Sequence, residues 1–163
     1  MSSKSAIKFA LVLPFVMGMV GNAVAQMPNA YGPSVTLETA KKVAAPALAE
    51  AAKNNWTIAV AIVDPSGNLV YYEKMDNTQL GSAHVAVEKA RSAAMFKRPT
   101  KAFQDAVANG GEGLRTLALP GAVPLEGGFP LLIDGKIVGA IGVSGMTSAQ
   151  DAQCAKAGAD SLK

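Results

Sequence analysis

Apolar residues recur at two different spacings along this chain, and the two spacings separate helices from strands. Residues 37–51 carry apolar side chains at three- and four-residue steps, which predicts an amphipathic helix with Thr36 as its N-cap. Residues 57–64 and 69–75 are rich in β-branched and aromatic residues. They flank Pro65-Ser66-Gly67-Asn68, and this arrangement predicts a β-hairpin.

The second half of the chain predicts three more helices. Residues 83–97 form a long helical pattern that Arg98-Pro99 ends, and Thr100 predicts the N-cap of a short helix through Val107. Residues 112–126 contain prolines and glycines that exclude long regular elements. Thr147 or Ser148 predicts the start of a last helix through about Leu162.

The segment 127–145 predicts a second hairpin with an unusual surface. Two apolar runs flank Asp134-Gly135, a dipeptide that favours the type I′ turn. The second run places Gly139, Gly142 and Gly145 in or just after a strand. Because glycine weakens a strand, its repeated use predicts that another backbone or a flat ligand approaches closely. Gly139 and Gly142 are therefore candidate cofactor-binding residues.

The order of elements indicates the fold class. Hairpin-joined strands with helices before, between and after them indicate an α+β fold in which helices cover a central antiparallel β-sheet. Residues 26–163 suit a single domain, and the Pro-, Gly- and Asn-rich residues 26–33 predict a flexible lead-in.

Residues 1–25 have the pattern of a signal peptide. Lys4 and Lys8 precede the apolar run of residues 9–20, and Ala23-Val24-Ala25 fits an A-x-A cleavage site. The apolar run is too short to span a bilayer comfortably. We therefore expect an exported protein, periplasmic or secreted, that begins at Gln26.

Charge and cysteine usage exclude some classes of function. The formal net charge of +3 includes Lys4 and Lys8, and Lys97, Arg98 and Lys101 are the nearest approach to a basic cluster. Nucleic-acid binding needs a clustered basic face, so we do not expect it. Cys154 has no second cysteine with which to form an internal disulfide.

One flank of the second long helix carries the most suggestive chemistry. His84, Glu88, Arg91 and Met95 follow one another at spacings of four, three and four residues, and His84 is the only histidine. One histidine is enough to be an axial ligand of haem or a corrinoid, and Arg91 can pair with a propionate. The alternative is an ordinary surface pair between His84 and Glu88. Lys97, Arg98 and Arg115 could also hold a propionate or another carboxylate, although solvated surface charge is the simpler interpretation of these three.

Other residues offer weaker ligand candidates. Tyr71, Tyr72, Met75 and Met146 are alternatives to His84, although core packing is the simpler interpretation of each. Adjacent tyrosines in a strand point to opposite faces of the sheet. The chain has no C-x-x-C-H sequence, so a bound haem would be noncovalent. It also has neither a phosphate-binding loop nor a G-x-S-x-G elbow.

Several sequence blocks resemble the GlcG/HbpS family, also called the haem-degrading or DUF336 domain. The resemblance spans nearly all of residues 26–163. The blocks are Thr36-Leu37-Glu38-Thr39-Ala40, Ile62-Val63-Asp64-x-x-Gly67, Lys89-Ala90-Arg91-x-Ala93, Phe96-x-Arg98-Pro99-Thr100, Gly127-Gly128-x-Pro130, Asp134-Gly135, Gly139-Ala140-Ile141-Gly142-Val143-Ser144-Gly145, and Asp151 with Ala157-Gly158.

The resemblance implies a profilin-like fold, a homo-oligomer and haem binding or sensing outside the cytoplasm. We therefore expect a haem carrier, scavenger or sensor accessory. The axial ligand varies across the family, so His84 as the iron ligand is predicted from ligand chemistry and not from the resemblance. The family also implies an alternative, an enzyme or accessory factor in small hydroxy-acid (glycolate) or corrinoid metabolism. A third interpretation is a purely structural, oligomeric partner of a membrane or two-component receptor. Whether the chain is an enzyme stays open.

Export generates the first testable prediction. Protein recovered from the periplasm of an exporting host should begin at Gln26, because Ala23-Val24-Ala25 satisfies the cleavage rule. Intact-mass spectrometry measures this directly. Exported protein that retains residues 1–25 would contradict the prediction.

Overall fold

The computed structural model describes residues 29–162, in which helices lie on both faces of an antiparallel sheet. The predicted signal peptide lies outside these residues. The helices are α1 (Leu37–Lys53), α2 (Ser82–Met95), α3 (Lys101–Ala108) and α4 (Ser148–Asp160), with a 3₁₀ helix at Gly111–Ala118. The strands are β1 (Ala59–Val63), β2 (Leu69–Lys74), β3 (Gly128–Ile133) and β4 (Lys136–Ser144), in the spatial order β2-β1-β4-β3. The predicted α+β class is confirmed.

Strand β1 divides the interior into two layers of different side-chain size. Val60 and Ile62 point to one face, where they pack with residues of α1 and α4. Ala59, Ala61 and Val63 point to the other face, where they pack with alanines of α2. Alternation along the strand thus places larger side chains under α1 and α4 and smaller ones under α2.

Small residues on both sides bring α2 unusually close to the sheet. A Cβ added at Gly142 would lie 2.1 Å from the carbonyl oxygen of Ala86 and 2.5 Å from the backbone nitrogen of Ala90. A Cβ at Gly139 would lie 2.3 Å from the carbonyl oxygen of Val63. The sequence predicted that either another backbone or a flat ligand comes close to these glycines. The structure shows that the close neighbour is backbone of this chain. We correct the assignment of Gly139 and Gly142 to ligand binding, because the space beside each is already filled.

Local signals in the sequence correctly predicted several turns and caps. Asp134 and Gly135 both have positive φ, at 49° and 71°, as a type I′ turn requires. Thr147 and Gln150 form a capping box at the start of α4. Both features depend on residues no more than three positions apart in sequence.

Two local predictions were wrong because distant contacts override them. Thr100 precedes α3, but its side chain makes no capping bond; its Oγ1 instead accepts a hydrogen bond of 2.9 Å from the backbone nitrogen of Gly128. The expected flexible lead-in is partly docked, since Tyr31 forms a parallel bridge with Ile137 of β4.

Within residues 29–162, no helix has the length and apolar character needed to cross a membrane.

The contact between α2 and the sheet generates the second prediction. Gly142→Ala should lower the free energy of unfolding by about 1–3 kcal/mol, because the new methyl group overpacks the interior. Gly81→Ala is the matched control, since no atom lies within 4 Å of a Cβ added there. Urea denaturation measures both variants. Equal stability of the two variants would show that α2 does not need a bare strand beneath it.

Candidate functional site

A buried ion pair joins α2 to α4 and to the end of β4. Lys89 Nζ lies 2.8 Å from Asp151 Oδ2 and donates a second hydrogen bond, of 3.0 Å, to the carbonyl oxygen of Val143. Asp151 Oδ1 accepts a bond of 2.9 Å from the backbone nitrogen of Met146. The two side chains are only 2% and 3% exposed. The pair therefore fastens three elements inside the protein.

The Gly127-Gly128 dipeptide lies directly over this ion pair. Gly127 has a φ of 124°, and a Cβ there would lie 2.9 Å from Lys89 Nζ. A Cβ at Gly128 would lie 2.4 Å from the carbonyl oxygen of Lys89. Both glycines are required for the chain to pass over α2 into β3. This part of the family-like sequence pattern thus has a packing explanation.

Burial controls the ionisation of the pair. It lowers the pKa of Lys89 and raises the pKa of Asp151, and the charge of each partner opposes the shift of the other. A desolvated lysine can be a nucleophile, but Lys89 and Asp151 are closed off from solvent and hydrogen-bonded to each other. We therefore assign the pair to anchoring rather than to chemistry.

Sequence reasoning missed the role of the pair, although the position of Lys89 on α2 was a signal that could have identified one of its two members. At about 100° per residue, Lys89 falls about 20° from Ser82 and about 40° from Ala93, on the buried arc of α2. A charge on a buried face needs a partner, so the position alone indicated an ion pair. Asp151 is 62 residues away, and nothing local identifies it as that partner.

The predicted stripe on α2 lies on the exposed side of the helix. His84, Glu88, Arg91 and Met95 are all exposed. Arg91 forms an ion pair of 2.7 Å with Glu88, and its Nε donates to the carbonyl oxygen of Gly67 at 3.0 Å. Glu88 is therefore paired with Arg91 and does not orient the imidazole. Ligation of iron by His84 stays a prediction.

The other end of α2 borders an apolar cleft of about 310 Å³. Its walls come from the α2–α3 connection, the edge strand β3, the start of β4 and the end of α4. The lining residues are Asn29, Lys97, Pro99, Phe129, Pro130, Leu132, Ile137, Lys156, Ala159 and Asp160. We call this space the β3-edge cleft. A second cleft, of about 500 Å³, lies beside residues 33–36 and the β3–β4 turn.

Positive side chains stand at the rim of the β3-edge cleft. Lys97 Nζ lies 4.3 Å from the centre of the Tyr31 ring, and Lys156 forms an ion pair with Asp160. Arg98, a predicted propionate partner, does not line the cleft: its Nε donates to the carbonyl oxygen of Phe96, and its guanidinium lies over Phe103. The arrangement suits a ligand that is mainly apolar and carries a negative group.

The stripe's histidine and the cleft are far apart on one chain. His84 lies in the first turn of α2 and Met95 is its last residue, which separates them by roughly 16 Å at 1.5 Å per residue. The structure thus does not bring His84 together with Lys97. The two features are separate candidate ligand surfaces.

The remaining ligand candidates are largely occupied. Tyr71 packs against the α1–α4 core and its hydroxyl donates to Glu73, whereas Tyr72 packs on the α2 side of the sheet. Met75 packs against the α1–α4 core, and Met146 is exposed. Burial raises the pKa of the Cys154 thiol to about 11, which keeps it protonated at neutral pH. Within residues 29–162, no three His, Cys, Asp or Glu side chains are grouped to hold a metal ion.

Comparison with known proteins gives a consistent family and fold. A family model described as "Haem degrading protein HbpS-like" matches residues 35–160. Protein GlcG of Escherichia coli K12 is 43% identical over 95 residues, which cover 58% of this chain and 69% of GlcG. The corrinoid adenosyltransferase PduO of Salmonella typhimurium is 32% identical over 101 residues, but these cover only 30% of PduO.

Solved structures extend the likeness to the whole described fold. HbpS superposes with a TM-score of 0.73 at 32% identity, covering 81% of this chain and 92% of HbpS. A structure titled "PduOC:Heme Complex" superposes with a TM-score of 0.71 at 25% identity, covering 80% of this chain and 96% of that one. The residues that the family model matches, 35–160, contain α2, the four strands, Lys89 and Asp151.

The buried pair generates the third prediction. Lys89→Met should reduce the free energy of unfolding by about 3–5 kcal/mol, because Asp151 is left buried without its counter-charge. The double variant Lys89→Met/Asp151→Asn should lose less than the sum of the two single variants. Urea denaturation of all four proteins gives the coupling energy.

The exposed pair Lys101–Asp105, 2.7 Å apart, is the matched control for this cycle. Its coupling energy, measured with Lys101→Met and Asp105→Asn, should stay below about 0.5 kcal/mol. Equal coupling at the buried and exposed pairs would contradict the anchoring role.

Proposed function

The chain belongs to the HbpS-like family, and we propose that it is an exported haem-binding protein that acts as a carrier, scavenger or sensor accessory. The observation that carries this proposal is the likeness to PduOC, a protein solved with heme, over 80% of this chain. The predicted signal peptide supports export. A sensor protein is the proposed partner.

The described residues fit the chemical parts of haem, although not at one place on one chain. His84 presents an exposed imidazole, the donor most used for haem iron. The β3-edge cleft presents an apolar wall and lysine ammonium groups, which suit a porphyrin body and its propionates. Bound haem would supply an iron that takes an axial donor; the chain's part is to present that donor and to cover the porphyrin.

We propose His84 as the iron ligand, with Met95 and Arg91 beside it on the same flank of α2. The Arg91 guanidinium already donates hydrogen bonds to Glu88 and to the carbonyl oxygen of Gly67. A propionate would therefore have to share the guanidinium with these two groups. Because this flank is exposed, haem ligated there would be only partly covered by one chain. Ligand pockets normally bury most of a ligand's surface, so a second copy would have to cover the rest.

A homo-oligomer is part of this proposal. Leu114, Leu117, Leu119 and Leu125 are all exposed along and after the 3₁₀ helix, and Leu80 is 86% exposed just before α2. A monomeric soluble protein rarely exposes many neighbouring apolar side chains. The leucines therefore support self-association.

The alternative is a role in small hydroxy-acid (glycolate) or corrinoid metabolism, as an enzyme or accessory factor. The 43% identity to GlcG and the match to a corrinoid adenosyltransferase favour it. The apolar lining of the β3-edge cleft weighs against a ligand as small and polar as glycolate, because such a ligand needs several polar groups to hold it. We assign no catalytic residue.

Haem titration supplies the fourth prediction. Wild-type protein should give a saturable shift of the Soret band, and His84→Ala should change the position of that band and weaken binding. Glu88→Gln is the matched control on the same flank. It should leave the band in place, because Glu88 pairs with Arg91 and not with His84.

Two results of the titration would count against the proposal. No saturable Soret shift in the wild type would refute haem binding and favour the metabolic alternative. An unchanged band and affinity in His84→Ala would remove His84 as the ligand while leaving haem binding intact. Tyr72 and Met146 would then be the next variants to test.

A further inference from the structure

Lys97 occupies a backbone position that normally takes glycine. Helix α2 ends at Met95 with Phe96 as its C-cap, and the next residue, Lys97, has a φ of 55°. This is the left-handed position after a helix, where glycine avoids the strain imposed by a Cβ. Among the described residues, the other non-glycine residues with positive φ are Asn55, Asn77 and Asp134. Asn and Asp tolerate this conformation well, so Lys97 is the exception.

The left-handed backbone at Lys97 directs its side chain over the ring of Tyr31. The Tyr31 hydroxyl donates to the carbonyl oxygen of Ala94 at 2.9 Å, which holds the ring against the end of α2. Lys97 Nζ lies over that ring at 4.3 Å from its centre. The ammonium group is thus held at the wall of the β3-edge cleft by an uncharged neighbour. Strain of this kind tends to occur at ligand sites.

Lys97 and Lys156 are the two cations among the described residues that line the cleft, and they differ in their contacts. Lys156 also lines it but forms an ion pair with Asp160, another lining residue, so these two charges offset each other. Lys97 contacts an aromatic ring instead. A negative group entering the cleft is therefore attracted mainly by Lys97.

The rest of the cleft is suited to an apolar body. Pro99, Phe129, Pro130 and Leu132 contribute to its walls. Pro130 has no backbone N–H, which removes one polar group from the wall on the edge strand β3. The combination predicts a ligand with an apolar body and an acidic end.

We propose that the β3-edge cleft binds an apolar carboxylate and that Lys97 pairs with its carboxylate. Porphyrin propionates and fatty-acid carboxylates share this chemistry. Where the ligand is haem, the inference rests on the proposed function; for a fatty acid it does not. It is independent of the iron ligand, because Lys97 lies at the opposite end of α2 from His84.

The test compares affinity with stability in one variant. Lys97→Gly should bind iron-free protoporphyrin IX or dodecanoate at least about tenfold more weakly, the size expected for loss of a charged hydrogen bond. Its melting temperature should not fall, since glycine relieves the left-handed strain. Lys97→Asn, which also tolerates positive φ, should show the same loss of binding.

Asn55→Gly is the matched control. Asn55 also follows the C-cap of a helix, has a φ of 57°, and lies outside the cleft lining. It should leave binding unchanged. Protoporphyrin IX dimethyl ester, which has no free carboxylate, should bind wild type and Lys97→Gly equally.

The outcomes separate this inference from the proposed function. If wild type binds neither acid, or if Lys97→Gly binds both as tightly as wild type, the inference is wrong. If Lys97→Gly binds haem and dodecanoate as tightly as wild type while His84→Ala binds haem more weakly, the proposed function stands and the inference is overturned. If dodecanoate binding depends on Lys97 while haem does not bind, the inference stands and the proposed function fails.

Discussion

The close contact between α2 and the sheet is the constraint on which the rest of the structure depends. Gly142 leaves room for the backbone of Ala86 and Ala90, and alanines fill the remaining space on that face. The Lys89–Asp151 pair then fixes the helix to α4 and β4 from within. A buried ion pair is weak evidence for net stability, but breaking one is costly. The position of α2 is therefore strongly specified.

That fixed position determines where candidate ligand groups lie. The N-terminal half of α2 carries His84 on its exposed flank, and its C-terminal end places Lys97 at the β3-edge cleft. Thr100 extends this control to β3, because its hydroxyl accepts from Gly128 where the strand begins. Side-chain chemistry at the two ends of one rigid helix can therefore vary without changing the fold, and relatives that share a fold need not share a function.

The sequence predicted features that depend on neighbouring residues. Asp134-Gly135 identified its turn, Thr147 identified the start of α4, and helical spacing correctly grouped His84 and Arg91 on one flank of α2. In each case the physical cause lies within a few residues, so pattern alone carries the information.

Features that join distant segments were not predictable in the same way. Thr100 has the sequence context of a helix cap, yet it bonds to a strand 28 residues away. The left-handed backbone of Lys97 gives no sequence signal, because lysine is rarely found there. Nothing local shows that Lys97 and β3 border one cleft. The apolar cavity was therefore the part of the site that could be identified only from the folded structure.

In the proposed site, α2 positions Lys97 to hold the acidic end of a ligand in the β3-edge cleft. The most direct measurement is a two-dimensional amide NMR spectrum recorded during titration with iron-free protoporphyrin IX. The account predicts the largest shifts at Lys97, Phe129 and Leu132, which line the cleft. Shifts confined to another face, with these three amides unmoved, would contradict it.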